Sequence, residues 1–293
     1  MRNPGFSFWI PAFAGMTKAD IITQLSLVSL TLRIFVIITQ RNLMVKTSVT
    51  KESILLGNFS QEELDHIMRK ASTIEDIAER IDFISRYFLG LNYGESTLIG
   101  AIKIPEVLVI NLQGVDCFTY IDYVEAMRLS NSFSAFKVNL RKVRYKSGIV
   151  VYENRNHFFT DWREWNSESI DDITEEIGFQ KAIKIQKLLN EKEDGTYFLP
   201  GVHPVKREFS YIPSDAVDDL ILHKLRTGDY VGIYSEVQGL DVSHVGIIIK
   251  DRDDIYLRHA SSLKEYRKVV DQDFRKYIVE KPGLIVLRPK MPD

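Results

Sequence analysis

The chain of 293 residues contains a single cysteine, Cys117, in the segment GVDCFTYIDYVEAM, where a turn runs into a helix pattern. A free thiol has a pKa of about 8.5 and is only a few per cent thiolate near neutrality, so nucleophilic use needs help from the surroundings. A helix start offers some, because its unpaired N–H groups and aligned peptide dipoles favour an anion. Lowering the pKa by two units corresponds to roughly 2.7 kcal/mol, within reach of a helix terminus plus a nearby imidazolium. Cys117 is therefore expected to ionise readily and to act as a nucleophile. The competing reading is a small buried hydrophobe, the usual place of a free cysteine.

A thiol hydrolase also needs a histidine to take the thiol proton and return it to the leaving amine, and a third group to hold the imidazole tautomer. Two of the six histidines stand in strand-like runs: His244 opens HVGIIIK and His259 closes DIYLRHAS. Antiparallel pairing through the short KDRDD turn brings both near one end of a sheet. A histidine satisfied by backbone at a strand end fits the same pattern. Zinc ligation by Cys117, His244 and His259 is chemically permissible, but no short-spaced ligand pair supports it, and no metal is expected. The pairs Asp171/Asp172 and Asp218/Asp219 read as helix starts or coats rather than as a glycosidase pair. His66, His203 and His223 lack catalytic context and read as surface or structural.

The elements that must position these residues follow from punctuation and periodicity. Ser60 and Glu63 have capping-box spacing, and Ser72 and Glu75 repeat it, announcing two helices. Ile74, Ile77, Ala78, Ile81, Ile84 and Phe88 form the stripe of the second, with Gly90 as a stop. LGLNYGES reads as a loop and EVLVINLQG as a strand entering the cysteine turn. In the helix that follows, Ile121, Val124 and Leu129 face inward. VRYKSGIVVYENRNHFFTDWREWN reads as two extended stretches and an aromatic-rich loop, followed by a helix near 172–190 and another after Ser214 with Val217, Leu220, Ile221 and Leu225 inward. HPVKREFSYIP reads as a loop over the cleft. DYVGIYSE, HVGIIIK, DIYLRHAS and LIVLRP are the strands, joined by short polar turns as in an antiparallel meander. Helices first and a sheet afterwards indicate an α+β fold.

With 45% hydrophobic residues, the chain has ample material for a core. The 38 basic and 40 acidic residues nearly cancel, so no global field points to nucleic acid or an anionic membrane. One cysteine excludes an internal disulfide and a multi-thiolate zinc site. Residues 1–43 differ in character: FSFWIPAFAGM precedes an apolar stretch, IITQLSLVSLTLRIFVIIT, interrupted by Gln24 and Arg33. They read as an extension: a mis-assigned start with Met44 as the true one, a disordered segment, or a weak anchor or signal. Membrane contact, and a cell-envelope or periplasmic rather than cytoplasmic location, depend on that segment. Residues 44–293 show no repeat or linker and read as one domain.

The ordered set LGLNYG, VDCFTYIDYV, LRTGDYVGIY, SHVGIII and LRHASS resembles the NlpC-type superfamily of papain-like cysteine hydrolases. Within it, NLQGVDCFTYIDYVEAM, HFFTDW, HVGIII with LRHASS, and GLIVLRP resemble the N-acetylmuramoyl-L-alanine amidase-like branch, over roughly residues 72–290. The resemblance implies a papain-like α+β fold, with the nucleophile at a helix start packed on a C-terminal antiparallel sheet. It makes Cys117 the nucleophile, His244 the general base and His259 the residue orienting it. Tyr93 and Asp116 match positions that hold the substrate peptide, although Asp116 also suits a helix N-cap and Tyr93 a core aromatic. His157 and Trp162 match a segment that shapes the cleft, as would an aromatic loop packed on the sheet. Phe118 departs from the Ser or Thr found after the nucleophile in many relatives, which bears on substrate-end recognition. The implied partner is peptidoglycan or a muropeptide, acted on by a monomer without cofactor. The implied reaction is hydrolysis of the N-acetylmuramoyl-L-alanine amide. The alternatives are a D-glutamyl stem-peptide endopeptidase and a non-catalytic peptidoglycan-binding module.

Overall fold

In a computed structural model that describes residues 51–291, Ser60 and Glu63 close the anticipated capping box at the start of the first helix. The readings made for residues 1–43 lie outside the described residues. The chain runs through β1 (Glu52–Leu55), α1 (Gln61–Ser72), α2 (Ile77–Arg86), β2 (Asn92–Tyr93), β3 (Ile99–Ala101), β4 (Ile104–Asn111) and β5 (Gly114–Val115). It then enters α3 (Cys117–Arg128) and α4 (Phe133–Arg144), followed by α5 (Phe159–Trp165), β6 (Ile170–Asp172) and α6 (Thr174–Gly178). The C-terminal part contains β7 (Ile183–Leu189), β8 (Val205–Pro213), α7 (Asp219–Lys224), β9 (Tyr230–Tyr234), β10 (Val242–Asp251), β11 (Asp254–Ala260), β12 (Val269–Asp273), α8 (Phe274–Val279) and β13 (Gly283–Pro289).

The main sheet is antiparallel throughout, in the order β12-β11-β10-β9-β13-β8-β7, with β6 also pairing with β13. Its central strands carry continuous apolar runs at Tyr230–Tyr234, 245–249 and 283–287 because both faces are covered there. Tyr230, Val245, Ile247, Ile249, Ile285 and Leu287 join the core under α1 to α5, whereas Val231, Ile233, Ile248, Leu257, Leu284 and Val286 join a second core with Ile221 of α7 and Phe274 of α8. The result is a mixed α+β architecture with helices on both faces of the sheet. The consecutive strands β9 to β11 form the expected meander, β12 extends it as a strand the sequence pattern did not announce, and β13, expected to continue it, instead returns to flank β9 on its other side.

Helix α3 is buried on nearly every side, including its charged residues. Asp122 accepts from Arg144 Nε at 2.7 Å and from the Trp162 indole at 3.0 Å. Glu125 holds Arg128 and the hydroxyl of Tyr230. Buried charges persist when paired and hydrogen-bonded, and these pairs tie α3 to α4, α5 and β9.

Several local expectations are corrected. Helix α2 is capped by Asp76, which accepts from Glu79 N, rather than by Ser72 with Glu75. The helix expected over 172–190 stops at Gly178, because Phe179 turns to a positive φ of 47°. Beyond it, Ile183–Leu189 pairs residue for residue with β8, so HPVKREFSYIP supplies a sheet strand rather than a loop over the cleft. Phe133–Arg144 is an additional helix, and HFFTDW enters helix α5 instead of a loop. In α7, Leu220 faces solvent at 70% exposure while Ile221 is buried.

Candidate active site

Cys117 is the first residue of α3, and its start is fixed locally. Asp116 is the N-cap, its Oδ1 accepting from Phe118 N at 3.0 Å and Thr119 N at 2.7 Å, while Thr119 Oγ1 receives the Asp116 N–H. Such a cap stabilises a helix by about 1 kcal/mol. The two-residue strand β5 leads into it and pairs in parallel with β2, setting Val115 opposite Tyr93.

The thiol lines a cavity of about 190 Å³ together with Phe118, His157, Phe198, Leu240 and His244. Burial pushes the Cys117 thiol up to about 12, and the Asp116 carboxylate adds to that rise. The backbone N–H groups of Val245, Cys117 and Phe118 act in the opposite direction without overcoming it. This corrects the expectation of ready ionisation: desolvation outweighs the helix start, and the resting thiol is neutral.

Strand β10 brings His244 to the same cavity through a bulge. Val242 pairs with Tyr234 and His244 with Ile233, so two steps on β10 oppose one on β9. Bulges of this kind re-aim side chains. His244 and His259 are in contact, with Nε2 of His244 2.6 Å from Nδ1 of His259 and the rings nearly perpendicular at a centroid separation of 4.8 Å. Burial drives His244 down to about 3, with smaller contributions from His259 and Lys281. Burial likewise lowers His259 to about 4, against the opposing effect of Gln272. Two ring nitrogens directed at each other do not converge on a metal, and among the described residues no three His, Cys, Asp or Glu side chains cluster as metal ligands.

Tyr277 of α8 packs against both imidazoles, 5.4 Å from the His259 ring centroid and 6.4 Å from that of His244. Burial raises its phenol to about 12, and Cys117 contributes to the shift. Tyr93, half-buried on β2, is raised by burial and then by Cys117 and Asp116, and the Arg267 guanidinium lies over its ring at 5.0 Å. Cys117, His244, His259, Tyr93 and Asp116 therefore meet around one end of α3.

His157 borders the cavity, its Nε2 donating to the Tyr152 carbonyl at 2.9 Å, and burial lowers it to about 4. Trp162 does not reach the cavity. It is 0% exposed and donates to Asp122, so its expected contact with substrate is replaced by a place in the core. His66, His203 and His223 are exposed. Sequence reasoning missed Gln272 and Tyr277, and also Phe198 and Leu199, which form one wall of the cavity. Gln272 was legible only through register: His259 pairs with Val270, so the residue two further along shares its face. A second cavity, of about 520 Å³, opens between Gly57, Tyr87, Asn92 and Gln113, and among the described residues no thiol, imidazole or carboxylate lines it.

The fold has counterparts among known proteins. A crystal structure of a Legionella pneumophila protein is 24% identical, covers 79% of this chain and 94% of its own, and superposes with a TM-score of 0.67, which is a likeness of fold. A crystal structure of an N-acetylmuramoyl-L-alanine amidase from Bacteroides uniformis is 25% identical over 78% of this chain and 100% of its own, with a TM-score of 0.58. No curated protein sequence gives a significant match. The family model for AmiA-like, N-acetylmuramoyl-L-alanine amidase-like proteins matches residues 83–284, a span that includes Cys117, His244 and His259. The chain belongs to that N-acetylmuramoyl-L-alanine amidase-like family.

Proposed function

We propose that the protein is a cysteine amidase of the bacterial cell wall, hydrolysing the amide between N-acetylmuramic acid and L-alanine in peptidoglycan or its fragments. The observation that carries this reading is the cavity shared by Cys117 at its helix start and His244 on β10, with His259 bonded behind His244. Membership of the amidase-like family supplies the bond class. Placement among NlpC-type, papain-like hydrolases is part of the same proposal, supported by a helix-borne thiol packed on an antiparallel sheet that carries two histidines.

Both groups are neutral at rest, so the reaction begins by proton transfer coupled to attack. His244 takes the Sγ proton as sulfur bonds to the lactyl carbonyl carbon and the carbonyl π pair moves to oxygen. The Cys117 backbone N–H, at the start of α3, is the available oxyanion donor. Collapse breaks the C–N bond, and the proton on His244 passes to the departing L-alanine nitrogen. Water then gives a proton to His244, attacks the thioester and releases the muramic carboxyl, and the proton returns to sulfur. Among the described residues His244 is hydrogen-bonded to His259 rather than to the thiol in the resting geometry, and such catalytic contacts commonly tighten only when substrate binds.

The wall formed by Phe118, Phe158, Phe198 and Leu199 is apolar, and His157 beside it is neutral. Such a surface suits a sugar ring face or its acetyl and lactyl methyls better than a carboxylate-bearing stem. The test is turnover of a defined muropeptide followed by mass spectrometry. Release of an intact stem peptide beginning with L-alanine supports the reading, whereas cleavage inside the stem would replace it with the D-glutamyl endopeptidase.

A further inference from the structure

Behind the two histidines stands a third polar side chain that the reaction sequence does not use. Gln272 on β12 places its amide Oε1 2.5 Å from His259 Nε2. An amide oxygen only accepts, so His259 carries its proton on Nε2 and its Nδ1 is left as an acceptor. That Nδ1 is the atom 2.6 Å from His244 Nε2, which must then be the donor. With Nε2 protonated and engaged, Nδ1 is the one ring nitrogen of His244 left with a free lone pair.

We propose that Gln272 is a positioning residue for the amidase reaction: acting through His259, it sets the tautomer of His244 so that Nδ1 receives the Cys117 proton. The proposal rests on the cysteine-amidase reading above. The chain is built for this transmission. His259 is 2% exposed, so water does not compete for its nitrogens. Tyr277 packs edge-on against its ring and limits rotation. Gly246 allows the close approach of β10 to β11, since a Cβ there would lie 3.0 Å from the His259 Cβ. Neighbouring Asp271 is turned away into a bidentate pair with Arg258, at 2.7 Å for each bond, so a neutral amide rather than a carboxylate meets the imidazole. In the reaction the charge that forms on His244 is shared with His259 through this bond, and Gln272 orients the pair without itself exchanging a proton.

The groups that bear on the pair from all sides are Cys117 on α3, Asp271 on β12, Tyr277 on α8 and Lys281 beyond it. None of them changes in the two Gln272 variants. Gln272→Leu removes the acceptor, and Gln272→Glu keeps an acceptor while adding a negative charge. With a defined muropeptide, the leucine variant is expected to lose at least about tenfold in kcat with KM within about twofold, as expected for loss of tautomer control. The glutamate variant is expected to keep most of kcat and to move the acid limb of the pH profile upward, because a carboxylate favours imidazolium. Nitrogen-15 spectra of the histidine rings read the tautomer directly: protonated His259 Nε2 and unprotonated His244 Nδ1 in the unaltered protein, and a mixture in the leucine variant.

Cys117→Ala is run in parallel. If it is inactive while Gln272→Leu keeps unaltered kcat, pH profile and ring spectra, the positioning role is overturned and the amidase reading stands. If Cys117→Ala remains active, the underlying reading falls. Should the leucine substitution fail to fold, the glutamate variant decides alone: an unshifted acid limb overturns the proposal.

Discussion

Asp116 opposes the ionisation of the residue it helps to place: the carboxylate that caps α3 also raises the pKa of Cys117, the thiol that α3 presents. Burial is the larger contribution to that rise, and the Asp116 charge follows. The fold thus holds the Cys117 thiol neutral.

Asp116→Asn separates the two effects. Asparagine caps a helix about as well as aspartate, so stability should hold, while loss of the charge lowers the thiol pKa. Each unit of lowering gives about tenfold more thiolate below the pKa. Alkylation by a neutral reagent at mildly alkaline pH should therefore accelerate several-fold. An unchanged rate would mean that burial alone sets the thiol. Asp116→Ala should in addition cost about 1 kcal/mol of stability from the lost cap.

Acid should destabilise the fold through its buried histidines. His157, His244 and His259 are lowered to about 4, 3 and 4, chiefly by burial, against about 6.5 in an unfolded chain. Below about pH 6.5 the unfolded chain binds protons that the folded one refuses, so their contribution is fully present above that pH and is lost as pH falls toward the folded values. Melting temperature should fall progressively from about pH 6.5 to pH 4, and less steeply in His157→Gln. A melting temperature that stays level over that range would contradict the neutral assignment.

The ion pair behind α3 should be costly to break from one side. Arg144 also donates to the Val109 carbonyl at 2.6 Å, so Arg144→Met leaves Asp122 with a buried charge and the Trp162 bond alone. The expected loss is about 3–5 kcal/mol in a urea titration. Adding Asp122→Asn should recover part of it, since the unpaired charge is then removed. A loss below about 1 kcal/mol would show the pair to be dispensable.

The strands that carry the histidines were legible because covered faces write continuous apolar runs, and the KDRDD turn joins β10 to β11 as read. The α3 start was legible from the turn before it. What sequence could not convey was desolvation: Cys117 at a helix start looks acidic until its burial is known. Ile183–Leu189 passes for helix because its alternating apolar and polar residues satisfy short helical spacings too, and only pairing with β8 decides. Trp162 reads the same whether it faces a cleft or the core. Gln272 acquires its place from register across two strands, which no local pattern encodes.

Whether Cys117 cuts the muramoyl–alanine amide is decided by incubating the protein and its Cys117→Ala variant with a defined muropeptide and identifying the products by mass spectrometry. The unaltered protein should release an intact stem peptide beginning with L-alanine and leave a free muramic carboxyl, with turnover abolished in the variant. Equal release of that peptide by both proteins would contradict a cysteine mechanism.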